Sequence, residues 1–315
     1  PVTLPLLVQL PLGLFAGLVA QYRDARRARA NISRSIRYYL PETVAAQLAE
    51  TPENPTAIRE RVFAACMVTD AERFTALAEG MKPEDVSALL DRYFEILFGI
   101  VERHGGVVTD VVGDGMTCVW TAPAEDRSCR LKACHAALEI QRTLAGLGRE
   151  QAPIGLATRI GLNAGFAVIG NVGGSGRFIY SVVGDVANTA ARLETLNKQL
   201  GTRLLGTAAA VGDLAELVVR PLGRLQMFGK REVLPIVEIV GRAGEPHDRA
   251  LLASFADALD AFQEQRWPKA AARFEAILDA HPSDGPSRFY LEQCRRYLSG
   301  AAAPEAPGLL RLERK

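Results

Sequence analysis

An α+β fold, with helices on one face of a mainly antiparallel sheet, is predicted for residues 58–241, and three observations predict it. Short apolar runs at residues 62–69, 107–120, 159–172 and 178–183 have the length and branched-residue content of strands. Helix-periodic stretches at 86–104, 129–147 and 185–200 alternate with them. The first six elements run strand, helix, strand, strand, helix, strand, the order of the split βαβ, ferredoxin-like arrangement.

Composition narrows the function classes. The chain has 315 residues, 48% hydrophobic and 23% charged, so a packed core is within reach and wholesale disorder is excluded. With 37 basic and 36 acidic residues the net charge is +1, and no overall basic field argues for a nucleic-acid partner. The five cysteines form no Cys-x-x-Cys pair, and the four histidines never fall at metal-ligand spacing, which argues against a disulfide scaffold and a zinc site. Buried thiols in a reducing cytosol fit the cysteines better.

Taken in order, residues 1–22 carry no charged side chain and are long enough to cross a bilayer, which needs about 20 apolar residues. Six arginines against one aspartate follow by Arg37, so the positive-inside rule puts what comes next in the cytoplasm. A cleavable signal would carry its charge before the apolar run. A buried core helix is the alternative, and Pro1, Pro5 and Pro11 weaken either helix. The start at Pro1 rather than Met leads us to expect that an upstream part is missing. Residues 23–57 read as a cytoplasmic connector helix, ending in the polar stretch Thr51-Pro52-Glu53-Asn54-Pro55. Within 58–241 a hairpin over 218–240 closes the domain. Residues 242–315 turn to Ala-rich helix, two helices and the start of a third, with the small and aromatic positions of the 34-residue (TPR-like) repeat. One repeat cannot bury its own face, so this tail either caps the domain or binds a protein partner.

Two clusters carry chemistry. Asp70 ends the first strand, and Asp114 sits in the Gly113-Asp114-Gly115 turn between the second and third. On neighbouring strands these carboxylates make a hard oxygen site for Mg²⁺ or Mn²⁺, with backbone amides after Asp70 free to cradle phosphate. Taken singly, each aspartate also fits an ordinary turn residue. In Gly184-Asp185-Val186-Ala187-Asn188-Thr189-Ala190-Ala191-Arg192-Leu193-Glu194, Asp185 fits an N-cap. Asn188 and Arg192, four apart, share a helix face and suit a ribose and a phosphate; a solvated polar stripe is the plain alternative.

These segments occur in a familiar order. Val68-Thr69-Asp70-Ala71-Glu72-Arg73-Phe74-Thr75, Val112-Gly113-Asp114-Gly115, Arg159-Ile160-Gly161-Leu162-Asn163-Ala164-Gly165, Ile169-Gly170-Asn171-Val172-Gly173 and the stretch from Tyr180 through Glu194 closely resemble the class III nucleotidyl cyclase catalytic domain. Five ordered motifs over residues 58–241 are a specific signal. With the apolar helix, connector and tail, the chain resembles a bacterial membrane-anchored sensor cyclase.

The resemblance implies a homodimer with active sites at the interface. Asp70, the Ala71 backbone and Asp114 of one subunit would bind two ions, Mg²⁺ or Mn²⁺, while Asn188 and Arg192 come from the other. Lys230 matches the family's lysine for the terminal phosphates, and Phe74 and Thr75 fall in the substrate-binding turn. The base is read by Asp110 and Ser181. Adenylate-making members usually carry a lysine at the first of these, and a carboxylate offers only acceptors there. Guanylate-making members place an acidic residue at this position, and the Ser181 hydroxyl serves either base. The weight of bacterial members puts ATP and cyclic AMP first, GTP and cyclic GMP second, and a silent nucleotide-binding dimer third.

Overall fold

In a computed structural model, the structure describes residues 15, 21–23, 59–150, 156–174, 177–227, 232–301 and 309–311. The chain divides into two compact units, Arg59–Gly170 with Ser181–Lys315, and Pro1–Ile58 with Asn171–Tyr180. The expected membrane segment and connector lie outside the described residues except at positions 15 and 21–23. Among the described residues no helix is long and apolar enough to cross a membrane.

The larger unit opens with β1 (Arg59–Ala71), the short α1 (Phe74–Ala78), α2 (Pro83–Arg103), the hairpin β2 (Val107–Val112) and β3 (Gly115–Ala122), and α3 (Arg127–Glu150). Then follow β4 (Thr158–Gly174), β5 (Arg177–Val183), α4 (Asp185–Leu200), β6 (Leu204–Thr207), α5 (Ala208–Val211), β7 (Leu217–Gln226) and β8 (Val233–Arg242). The spatial order is β2-β3-β1-β4-β6-β8-β7-β9, with β5 pairing β4 and β9 (Leu309–Arg311) on the far edge. The stretch β2-β3-β1-β4 is antiparallel throughout, as the split βαβ reading requires; β4–β6 and β7–β9 are parallel pairs.

Placing every helix on one face was wrong. Phe63, Ala65 and Met67 of β1, with Met116, Cys118 and Trp120 of β3, pack in one cluster with Tyr93, Leu97 and Ile100 of α2 and with α3. The alternate residues Val62, Ala64 and Cys66 are also buried, because α4 covers the opposite face. A strand apolar at every position is the sign of a sheet covered on both sides. Gly161 sets the approach of α4: a Cβ there would lie within 2.9 Å of the Leu193 Cβ and nearer still to backbone of Ala190 and Glu194. Asn163 Nδ2 donates to the Val186 carbonyl, and Asn197 Nδ2 donates to the Ile160 carbonyl, fixing the helix along β4. Gly161→Ala should therefore cost about 3 kcal/mol by overpacking, read as a lowered midpoint in denaturant titration; an unchanged midpoint would contradict this packing.

The tail forms three complete helices, α6 (Arg249–Gln263), α7 (Trp267–Ala280) and α8 (Gly285–Leu298), then β9, which the sequence did not predict. These helices share one core with α4 and the second half of the sheet: Phe255, Phe262, Phe274 and Tyr290 meet Leu193, Leu196, Leu222 and Leu225. Buried Arg220 of β7 pairs with Glu238 of β8 and, at 2.7 Å, with Asp284, whose other oxygen caps α8. At the C-terminal end of α4, Gly201 takes the left-handed conformation (φ 65°), and a Cβ on it would come within 2.9 Å of Gly285. All five cysteines are free and buried, and burial pushes the Cys66 and Cys134 thiols up to about 12, as expected of small hydrophobes.

Candidate active site

The two aspartates meet. The β1–β3 register pairs Thr69 with Met116, which brings the β2–β3 turn beside the end of β1, and the Ala71 N–H donates to Asp114 Oδ2 at 3.1 Å. Burial, then the charge of Asp70, pushes the Asp114 carboxyl above its ordinary range. Of the amides expected to cradle phosphate, Ala71 is thus engaged and Glu72 donates to the Ala157 carbonyl, so a cradle would rest on those that follow. There the chain passes through Arg73 at φ 61° into α1, with Phe74 half-buried against the core and Thr75 exposed.

Two charged residues unassigned from sequence complete the cluster. Arg159 stands opposite Asp70 in the β1–β4 register, and its Nη2 donates to Asp70 Oδ2 at 2.5 Å. Its Nε lies 3.3 Å from Glu194 Oε1 of α4, an ion pair between the strand and the helix. Burial and then the charge of Asp70 push the Glu194 carboxyl up. Arg159, Gly161 and Asn163 alternate on the α4 side of β4, so alternation in the Arg-Ile-Gly motif was the signal that would have found Arg159.

The donor set fits a divalent ion. Among the described residues no three His, Cys, Asp or Glu side chains converge to hold a metal. Two hard carboxylates, each with one oxygen engaged by a protein donor, suit an ion such as Mg²⁺, which keeps waters and takes further ligands from substrate phosphates.

Asn188 and Arg192 lie on α4 as expected, exposed and half-buried respectively. At about 100° per residue, Arg192 stands roughly 200° around the helix from Glu194, so the helix turns it away from the side that meets Arg159. Asp185 is not the cap: Gly184 precedes the helix, and Asp185, in its first turn, accepts from the Thr189 hydroxyl at 3.2 Å. Asp110 is exposed, at an irregularity in the β2–β3 pairing, and its Oδ1 accepts from the Val111 N–H at 2.9 Å. Ser181 is half-buried in β5. Lys230 lies outside the described residues.

Residues 60–237 match the family model described as the adenylate and guanylate cyclase catalytic domain. Adenylate cyclase 1 of Rhizobium meliloti (strain 1021) is 38% identical over 189 residues, which is 59% of this chain and 28% of that protein. Among solved structures, a bacterial light-regulated adenylyl cyclase is 28% identical with a TM-score of 0.51, covering 58% of this chain and 93% of that one. The guanylyl cyclase Cya2 is 27% identical with a TM-score of 0.51, covering 61% and 98%.

Proposed function

Because this chain belongs to the class III adenylate and guanylate cyclase family, we propose that it converts ATP to 3′,5′-cyclic AMP and pyrophosphate as a homodimer linked to membrane signalling. The juxtaposition of Asp70 and Asp114 at the ends of adjoining strands carries this reading. Similarity to adenylate cyclase 1 of Rhizobium meliloti supports ATP as the substrate.

Two bound divalent ions, Mg²⁺ or Mn²⁺, would supply acidification of the ribose 3′-hydroxyl and compensation of phosphate charge. Asp70, Asp114 and the Ala71 carbonyl would hold them in one subunit. Asn188 of the other orients the ribose, and Arg192 beside it stabilises the charge developing on the α-phosphate. The 3′-oxygen forms its bond to the α-phosphorus as the bond to the β-phosphate bridge breaks. Pyrophosphate departs, held by Lys230 and the turn at Phe74 and Thr75, and the hydroxyl proton passes to solvent. The side of α4 that carries exposed Asn188 and half-buried Arg192, and the exposed apolar Phe166, Val168 and Val183, support a second copy as the partner. The apolar run in residues 1–22 would anchor this dimer in the inner membrane with the catalytic domain in the cytoplasm.

Asp110 favours a second reading. An exposed carboxylate accepts two hydrogen bonds from guanine N1–H and its amine, whereas adenine has one donor for it, the N6 amine, and an N1 acceptor to which a carboxylate has nothing to donate. Purified chain supplied with Mn²⁺ and ATP or GTP, its products separated chromatographically, tests both. For an adenylate cyclase, cyclic AMP dominates, Asp110→Ala leaves its formation within about twofold, and Asp110→Lys raises it. Dominant cyclic GMP, lost about ten- to a hundredfold in Asp110→Ala, would overturn the adenylate reading.

A further inference from the structure

Among the described residues two that are not glycine hold positive φ, Arg73 at 61° and Gln265 at 60°. Gln265 lies just past the end of α6, where its amide and that of Arg266 donate to the Phe262 and Ala261 carbonyls and close the helix, the usual reason for a left-handed residue. Arg73 has no such reason. It precedes α1, where a residue is ordinarily extended and caps with its side chain, and Arg73 makes no such cap. Glycine takes this conformation freely, and asparagine takes it more readily than a long side chain does. The strain is therefore kept for a guanidinium that is exposed and joins no ion pair among the described residues. Its position is fixed. Arg73 follows Asp70 by three residues, at most about 11 Å of chain, and the two residues between are pinned, Ala71 N–H to Asp114 and Glu72 N–H to the Ala157 carbonyl. The cation thus stands at the edge of a cluster of three carboxylates, Asp70, Asp114 and Glu194, which would otherwise repel a polyanion.

Resting on the reading of this site as one that takes a nucleoside triphosphate, we propose that the Arg73 side chain binds the terminal phosphates, its planar guanidinium forking onto two of their oxygens. The phosphates it holds are the ones that leave. They are present in the substrate and in pyrophosphate alike, so the contact tightens the binding of both without itself speeding the exchange of bonds at the α-phosphorus. Arg73 thereby sets the affinity for the triphosphate and the retention of pyrophosphate, and it leaves cyclic nucleotide, which has no terminal phosphates, untouched.

The test is calorimetric titration of the full chain, in Mn²⁺, with pyrophosphate and separately with cyclic AMP, beside steady-state turnover of ATP. Arg73→Asn removes the cation and keeps a residue at ease at φ 61°; it should bind pyrophosphate about tenfold more weakly and raise KM by a similar factor, with kcat within about threefold. Arg73→Gly should do the same while its melting midpoint stays at or above that of wild type, since glycine relieves the strain. Arg73→Lys keeps the charge but not the fork, and should lose about threefold. Cyclic AMP should bind every variant within about twofold, which separates a phosphate contact from a general loosening of the site. Pyrophosphate binding within about twofold of wild type in Arg73→Asn overturns the proposal, as does cyclic AMP weakened equally with pyrophosphate. A loss in Arg73→Gly that Arg73→Asn does not share marks backbone freedom as the cause and overturns it too, as does a wild type that binds no pyrophosphate. Should Arg73→Gly fail to fold, Arg73→Asn decides alone. A wild type that binds pyrophosphate through Arg73 yet forms no cyclic nucleotide refutes the proposed reaction and upholds the contact; one that forms cyclic AMP while the Arg73 variants bind pyrophosphate equally refutes the contact alone.

Discussion

Asp70→Asn and Asp114→Asn chains are each expected to lose about a thousandfold or more in cyclic nucleotide formation, about 4 kcal/mol of transition-state stabilisation, while keeping the fold. The amide matches the carboxylate in shape, and in Asp114→Asn the side-chain carbonyl can still accept from the Ala71 N–H, so what disappears is the charge. The Asp114→Asn variant should also be no less stable than wild type at pH 7. Burial and Asp70 raise the Asp114 carboxyl in the folded state, so folding there favours the protonated form and the ionised form costs stability as pH rises. The neutral side chain escapes that cost, and its advantage should shrink as pH falls and Asp114 protonates. Thermal melts taken from pH 8 down through the ordinary carboxylate range, beside product assays, check both halves. Activity within tenfold of wild type in either variant would sink the carboxylate assignment.

Mixing two dead chains should restore activity. Asp70→Asn lacks the carboxylate half of a shared site and Arg192→Ala the phosphate-stabilising half, and a heterodimer of the two contains one site in which both halves are intact. With random pairing, half of the dimers are mixed and each has one of two sites restored, so roughly a quarter of wild-type turnover is expected. The placement of Arg192 on the side of α4 turned from Glu194 supports this trans arrangement. Heterodimers demonstrated by mass spectrometry yet inactive would count decisively against it.

Much of this was legible in the residues. Strands, helices and the meeting of Asp70 with Asp114 follow from local periodicity and from the order of elements, because βαββαβ leaves β1 beside β3. The side of the sheet that α4 covers is also written in the sequence, in the unbroken apolar run from Val62 to Met67, which a sheet covered on one side alone would not need. The partnership of Asp70, Arg159 and Glu194 was harder to see. It depends on the register of β1 against β4 and on how closely Gly161 lets a helix approach, and neither has a local signature. The strands β6 and β9 were missed because four and three residues are too few to show a period.

The common core of the tail helices and β7 has a consequence for the birth of the molecule. Synthesis at about 5–20 residues per second leaves an interval on the order of seconds between the emergence of β8 and that of α8. Through that interval Leu222, Leu225 and Ile236 lack the completed tail side of their core, and the end of α4 has no Gly285 to rest on. The nascent chain therefore has its carboxylates in hand before it has the surface that steadies the helix bearing Asn188 and Arg192. A product of translation interrupted before α8 keeps the chemistry-bearing residues and lacks the support that Gly285 and the tail core give to α4.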